Sequence, residues 1–117
     1  MDLTVRMDEL EGWTVARVGG DIDVGTAPRL RERLVGVLTD GRAKLVLDLT
    51  DVEFLDSTGL GVIVGVLKRA RTMGGDLRLV VTRPALRKVF EITALDRTMP
   101  LADTAAAAVR GASVAEG

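Results

Sequence analysis

"KLVLDLTDVEFLDSTGLGVIVGVLKRARTMGG", residues 44–75, is the stretch on which the reading of the fold turns. It opens with an apolar run, 44–49, bounded by turn-forming residues, the pattern of a central strand buried on both faces. Further on the period changes. Leu60, Ile63, Val64, Leu67 and Ala70 fall on one side of a helix drawn at about 100° per residue. Gly74 and Gly75 then supply a common helix stop. A buried strand followed by a helix over 57–73 is the first half of a strand–helix–strand unit.

Working outward, the same alternation continues in both directions. "LRLVV" at 77–81 reads as the next strand, and Leu86, Val89 and Phe90 after Pro84 as another helix. "RTMPLA" holds a short edge strand, since Pro100 cannot donate to a ladder, and "DTAAAAVRG" a last helix capped by Asp103. Upstream, Leu3, Val5 and Met7 alternate with polar residues, "DELEG" turns the chain, and "WTVARV" at 13–18 completes a hairpin. Leu30, Leu34, Val35 and Leu38 mark an amphipathic helix opened by Pro28 and ended by "TDGR". The expectation is a single α/β domain over 1–117: a four- to five-stranded mixed, mostly parallel sheet with about four helices. Residues 111–117 are expected to fray.

Composition excludes several functions. Sixteen basic and seventeen acidic residues leave a net charge of −1, no footprint for nucleic acid or an anionic membrane. No segment approaches the roughly 18 apolar residues of a membrane span, and the first residues do not read as a signal peptide, so a cytoplasmic protein is expected. There is no cysteine and no histidine. Thiolate chemistry, Cys metal sites, the commonest general base and the usual partner of a serine nucleophile are therefore missing. With no P-loop pattern either, the chain reads as a binding protein without catalytic residues, metal or cofactor.

The helix at 57–73 has an unusual outer face. Thr58, Gly61, Val62, Gly65, Val66 and Arg69 collect there, where a solvated face would carry Lys, Glu and Gln. Each interior glycine costs roughly 1 kcal/mol relative to alanine. Two readings stand: Gly61 and Gly65 pack against another part of the domain, or they form a docking face that a partner's backbone approaches. Ser57 has two readings as well. It caps the helix, or Asp56 does and the serine hydroxyl points outward. Phosphate acceptance at Ser57 needs no base from this chain, because a kinase supplies one. Asp23 and Asp56, with Asp51 and Glu53 close in sequence, would make the setting acidic.

Two segments carry a family resemblance. "LVLDLTDVEFLDSTGLGVIVGVLKRAR" resembles the central segment of STAS domains, in particular the bacterial anti-sigma-factor antagonists, and "GGDIDVGTAPRLRERL" resembles the strand-to-helix segment upstream. The specific signal is D-S-T-G-L-G following D-L-T-x-V-x-F. The resemblance implies a partner-switching regulator whose unphosphorylated form binds an anti-sigma factor that is also a serine kinase, releasing the sigma factor. It implies Ser57 as phosphoacceptor with Asp23, Asp56 and Thr58 as neighbours, and a serine phosphatase that resets the switch. The implied docking surface joins Asp23, Thr26, Ser57, Thr58 and Gly59 to the helix face of Gly61, Val62, Gly65, Val66 and Arg69. Thr58 is a second candidate acceptor. The competing reading is a STAS adaptor acting on a phosphatase, a cyclase or a stress-signalling complex.

Overall fold

The computed structural model describes residues 2–111. The elements are β1 (Leu3–Leu10), β2 (Trp13–Ile22), α1 (Ala27–Thr39), β3 (Lys44–Leu55), α2 (Ser57–Thr72), β4 (Asp76–Val80), α3 (Pro84–Ile92), a 3-10 turn (Leu95–Arg97), β5 (Leu101–Ala102) and α4 (Ala105–Arg110). They build one five-stranded sheet in the order β1-β2-β3-β4-β5, antiparallel between β1 and β2 and parallel elsewhere. This is the mixed, mostly parallel architecture expected. Of the tail expected to fray, Gly111 ends α4 in the left-handed region at φ 66°, and 112–117 lie outside the described residues.

Topology follows from connection length and chirality. The hairpin closes on Glu11 and Gly12, both at positive φ (51° and 85°), the mirror-type turn that matches the twist of paired strands. Each later strand is parallel to its predecessor and steps across the sheet in the same direction. Right-handed crossovers taken in one direction place their helices on one face. The main core accordingly joins Leu45, Leu47 and Leu49 of β3 to Leu30 and Leu34 of α1, Ile63 and Leu67 of α2, and Phe90 of α3. Among the described residues, the other face receives only the short α4, over Trp13, Val15, Val46 and Val80. Arg78 stands 4.4 Å above the Trp13 ring and donates to the carbonyls of Ala108 and Val109, tying the end of α4 to the sheet. Beyond α4 this face is a polar cleft in which Arg17 pairs with Asp48 at 3.1 Å.

Three local expectations are corrected. β2 and β3 do not stop at residues 18 and 49 but run on together to Ile22 and Leu55. Two register shifts in β2, at Arg17/Gly19 and Gly20/Asp21, absorb the glycines that suggested a break. In the added length of β3, Val52 and Leu55 stay buried while Thr50, Asp51, Glu53 and Phe54 meet solvent. The cap of α4 is Thr104, whose hydroxyl accepts from Ala107 N–H at 3.0 Å, and not Asp103, which turns to Arg87.

The buried stripe of α2 is Gly59, Ile63, Val66, Leu67 and Ala70. Leu60 and Val64, expected inside, are half-buried. Gly59 explains the rotation. A methyl there would sit 2.6 Å from both Ile22 Cγ2 and Leu55 Cδ1, so only glycine lets the first turn press onto the ends of β2 and β3. Gly61 and Gly65 are the opposite case, since a methyl group added at either would meet nothing within 4 Å. Urea denaturation checks the contrast: Gly59→Ala is expected to lose about 1–3 kcal/mol by overpacking. Gly61→Ala and Gly65→Ala are each expected to gain roughly 0.5–1 kcal/mol.

Candidate functional site

The site forms where β2 and β3 end. Ile22 and Leu55 are their last register pair, and Asp56 N–H donates to Ile22 C=O at 3.2 Å. The loop after β2 and the start of α2 therefore begin side by side at the carboxyl edge of the parallel strands, where α/β sheets commonly place their binding sites.

Each loop is fixed by its own aspartate. Asp23 Oδ1 accepts from the N–H groups of Gly25 (2.9 Å) and Thr26 (3.0 Å), an Asx-type turn. The Thr26 hydroxyl accepts from Asp23 N–H at 2.9 Å and donates to Asp21 C=O at 2.7 Å. Thr26 is only 5% exposed, so this residue, expected on the docking surface, instead faces inward and holds the loop. Asp56, in extended conformation, caps α2, its Oδ1 accepting from Gly59 N–H at 3.0 Å. Of the two capping readings the structure therefore has the aspartate. Ser57 is the first helical residue and is exposed, and its hydroxyl makes no hydrogen bond to protein among the described residues. Thr58 beside it is exposed too.

Electrostatics at this corner are simple. Free N–H groups of the first turn and the helix dipole make the start of α2 receptive to an anion. Asp23 and Asp56 hold the negative charge on the protein side. Asp51, expected near the site, lines the polar cleft on the opposite face of the sheet with Arg6 and Arg17. Lys68 lies eleven residues along the helix from Ser57, about 16 Å at 1.5 Å per residue, too far to serve the hydroxyl as a base.

Next to Ser57 a shallow groove of about 280 Å³ runs between α1 and α2. Thr58, Gly61, Val62, Gly65 and Arg69 line it from α2, with Val66 at its floor. Arg31 and Val35 line it from α1. Gly61 and Gly65 are exposed, and a methyl group added at either would point into open space, which argues against the internal-packing reading for them. Two other expected docking residues are corrected. Val66 is 1% exposed and packs in the main core, because α1 lies against that flank of α2. Gly59 is buried against Ile22 and Leu55.

The structure also adds residues that the motif does not indicate. Val35 falls in the sequence with the core stripe of α1, yet Leu30, Leu34 and Leu38 complete that stripe at four-residue spacing and leave Val35 half-buried on the groove. That surplus apolar residue is the available signal. Val24, in the turn after Asp23, is 73% exposed, and Phe54, two residues before the cap, is 50% exposed. An apolar side chain inside a Gly/Asp turn is the signal for Val24. The corner thus combines an exposed hydroxyl, two ordered carboxylates, exposed apolar side chains and an open groove.

Comparison with known proteins agrees with this construction. The STAS domain model matches residues 4–108. The anti-sigma-B factor antagonist of Bacillus subtilis (strain 168) is 41% identical over 95 residues, covering 81% of this chain and 86% of that protein. The anti-sigma-B factor antagonist of Staphylococcus aureus (strain NCTC 8325) is 33% identical over 99 residues, covering 85% and 92%. Among solved structures, an anti-sigma factor antagonist from Mycobacterium paratuberculosis superposes with a TM-score of 0.86 at 34% identity, covering 94% of this chain and 93% of that one. With its sheet, its helix order and the hydroxyl-bearing start of α2 all accounted for, the chain belongs to the STAS domain family.

Proposed function

We propose that this protein is a cytoplasmic anti-sigma-factor antagonist that works by partner switching. With Ser57 unmodified it binds an anti-sigma factor through the corner at Asp23 and Ser57 and the adjoining groove, and the sigma factor is released. The anti-sigma factor is also a serine kinase. It transfers the γ-phosphoryl group of ATP to Ser57 Oγ, its own base taking the hydroxyl proton and ADP leaving. A serine phosphatase hydrolyses the ester, returning the hydroxyl and inorganic phosphate. The observation that carries this reading is the exposed Ser57 hydroxyl at the first position of α2, left free because Asp56 is the cap. Relatives that carry the name anti-sigma-B factor antagonist support it over most of the chain's length. No helix among the described residues is long and apolar enough to cross a membrane.

The switch rests on an asymmetry. A phosphate on Ser57 adds about −1.5 to −2 charges. The domain accommodates them at a helix N-terminus, where anions are favoured. A docked partner does not, because the phosphate must shed water beside Asp23 and Asp56 against an opposing surface. A loss of roughly 2.7 kcal/mol weakens binding about 100-fold, enough to exchange partners. Action by binding alone agrees with a site that offers its hydroxyl no activating base.

Affinity measurements on the purified protein and its cognate anti-sigma factor test this directly. Ser57→Ala is expected to bind as the unmodified protein does and to stay bound with ATP present. Ser57→Asp is expected to bind at least tenfold more weakly, about 1.4 kcal/mol. Mass spectrometry of the protein from its own cells should find a single phosphate on the peptide around 54–65. A Ser57→Asp protein that binds as tightly as wild type overturns the charge account.

A further inference from the structure

The groove between α1 and α2 carries a charge pattern that the phosphorylation site does not explain. Its rims hold two guanidinium groups, Arg31 on α1 and Arg69 on α2, and no carboxylate among the described residues lines it. This stands out in a chain with seventeen acidic residues and a net charge of −1. Arg17, Arg42, Arg71, Arg78 and Arg87 each lie within 4.0 Å of an aspartate or glutamate, while Arg6, Arg29, Arg33, Arg83, Arg97 and Arg110 have no ion pair among the described residues but do not line this groove. Arg31 and Arg69 have neither an ion pair nor a side-chain hydrogen bond among the described residues, and both are exposed. Between them the lining is mainly glycine and valine. Gly61 and Gly65, one turn apart, leave open space, and Val35 and Val62 flank them half-buried.

We infer that this groove is a second recognition element for the anti-sigma factor, one that selects an acidic segment: a stretch of small or apolar residues laid over Gly61 and Gly65 and bordered by carboxylates that pair with Arg31 and Arg69. The inference rests on the partner-switching reading and specifies the partner's chemistry away from Ser57. Unpaired cations facing an uncovered, low-polarity floor gain most from a carboxylate that arrives with a partner and excludes water around the pair. An arginine holds such a carboxylate in a fixed two-pronged geometry, which fixes register as well as adding attraction. The groove and the Ser57 corner then play different parts. The arginines set how the partner lies along α2, and the corner senses whether phosphate is present. An anionic lipid or nucleic acid fits less well, since two cations on an otherwise balanced chain give no extended positive surface.

The test is titration calorimetry of the full chain against its cognate anti-sigma factor at low and high salt. It compares wild type, Ser57→Asp, the double variant Arg31→Glu/Arg69→Glu and the milder Arg31→Gln/Arg69→Gln, with circular dichroism confirming that each is folded. The charge reversal is expected to weaken binding about 100-fold at low salt and the glutamine pair about tenfold, both with a flatter salt dependence than wild type. Exchanging an acidic residue of the partner for arginine should restore binding of the reversed variant and not of Ser57→Asp. If wild type binds, Ser57→Asp does not, and the arginine variants bind as wild type, this inference is overturned and the switch reading stands. If wild type itself does not bind the anti-sigma factor, the switch reading fails and the inference with it.

Discussion

The last rung of the β2–β3 ladder, Ile22 beside Leu55, is the constraint from which the site is built. Both side chains are buried, and Gly59 closes over them so tightly that an added methyl would lie 2.6 Å from each. That contact fixes where α2 starts. It also brings the turn after β2 against the first turn of α2, so that residues more than thirty positions apart in sequence share one corner. Because β2 and β3 are parallel, both exits lie at the same edge of the sheet, and α1 and α2 leave it in the same sense. A groove between those two helices beside Ser57 is a direct result.

Local hydrogen bonding divides the labour at this corner. Each loop holds an aspartate occupied with its own backbone, Asp23 at its turn and Asp56 at its helix. Neither carboxylate depends on Ser57, and the serine is not needed as a cap. Its hydroxyl is therefore chemically idle in the resting domain, and modifying it removes no bond that the fold relies on. Were the same serine the cap, its hydroxyl would be committed to a backbone N–H, and phosphorylation would have to replace that bond.

Much of this was legible in the sequence because the relevant patterns are local. The buried run at β3, the helical period of α2, the hairpin and the parallel alternation all read correctly, and so did the position of Ser57 at the start of α2. What was not legible depended on tertiary contact. The full lengths of β2 and β3 were hidden because glycines and polar residues occupy strand positions where one face of the sheet is open. Val66 looked like part of a docking face until the neighbouring helix claimed it. Thr26 looked like a surface hydroxyl, yet its role is set by two backbone groups of its own turn. Arg31 and Val35 belong to the groove only through the packing of one helix on another, which no single segment records.

The central claim is that phosphate on Ser57 acts at the surface and leaves the domain as it was. Backbone amide spectra and hydrogen exchange, recorded for the same sample before and after quantitative phosphorylation, test it most directly. The account predicts shifts confined to residues near Asp23 and the first two turns of α2, unchanged protection in β2 and β3, and a global stability within about 1 kcal/mol of the unmodified protein. Lost protection along those two strands, or shifts spread through the main core, would contradict it.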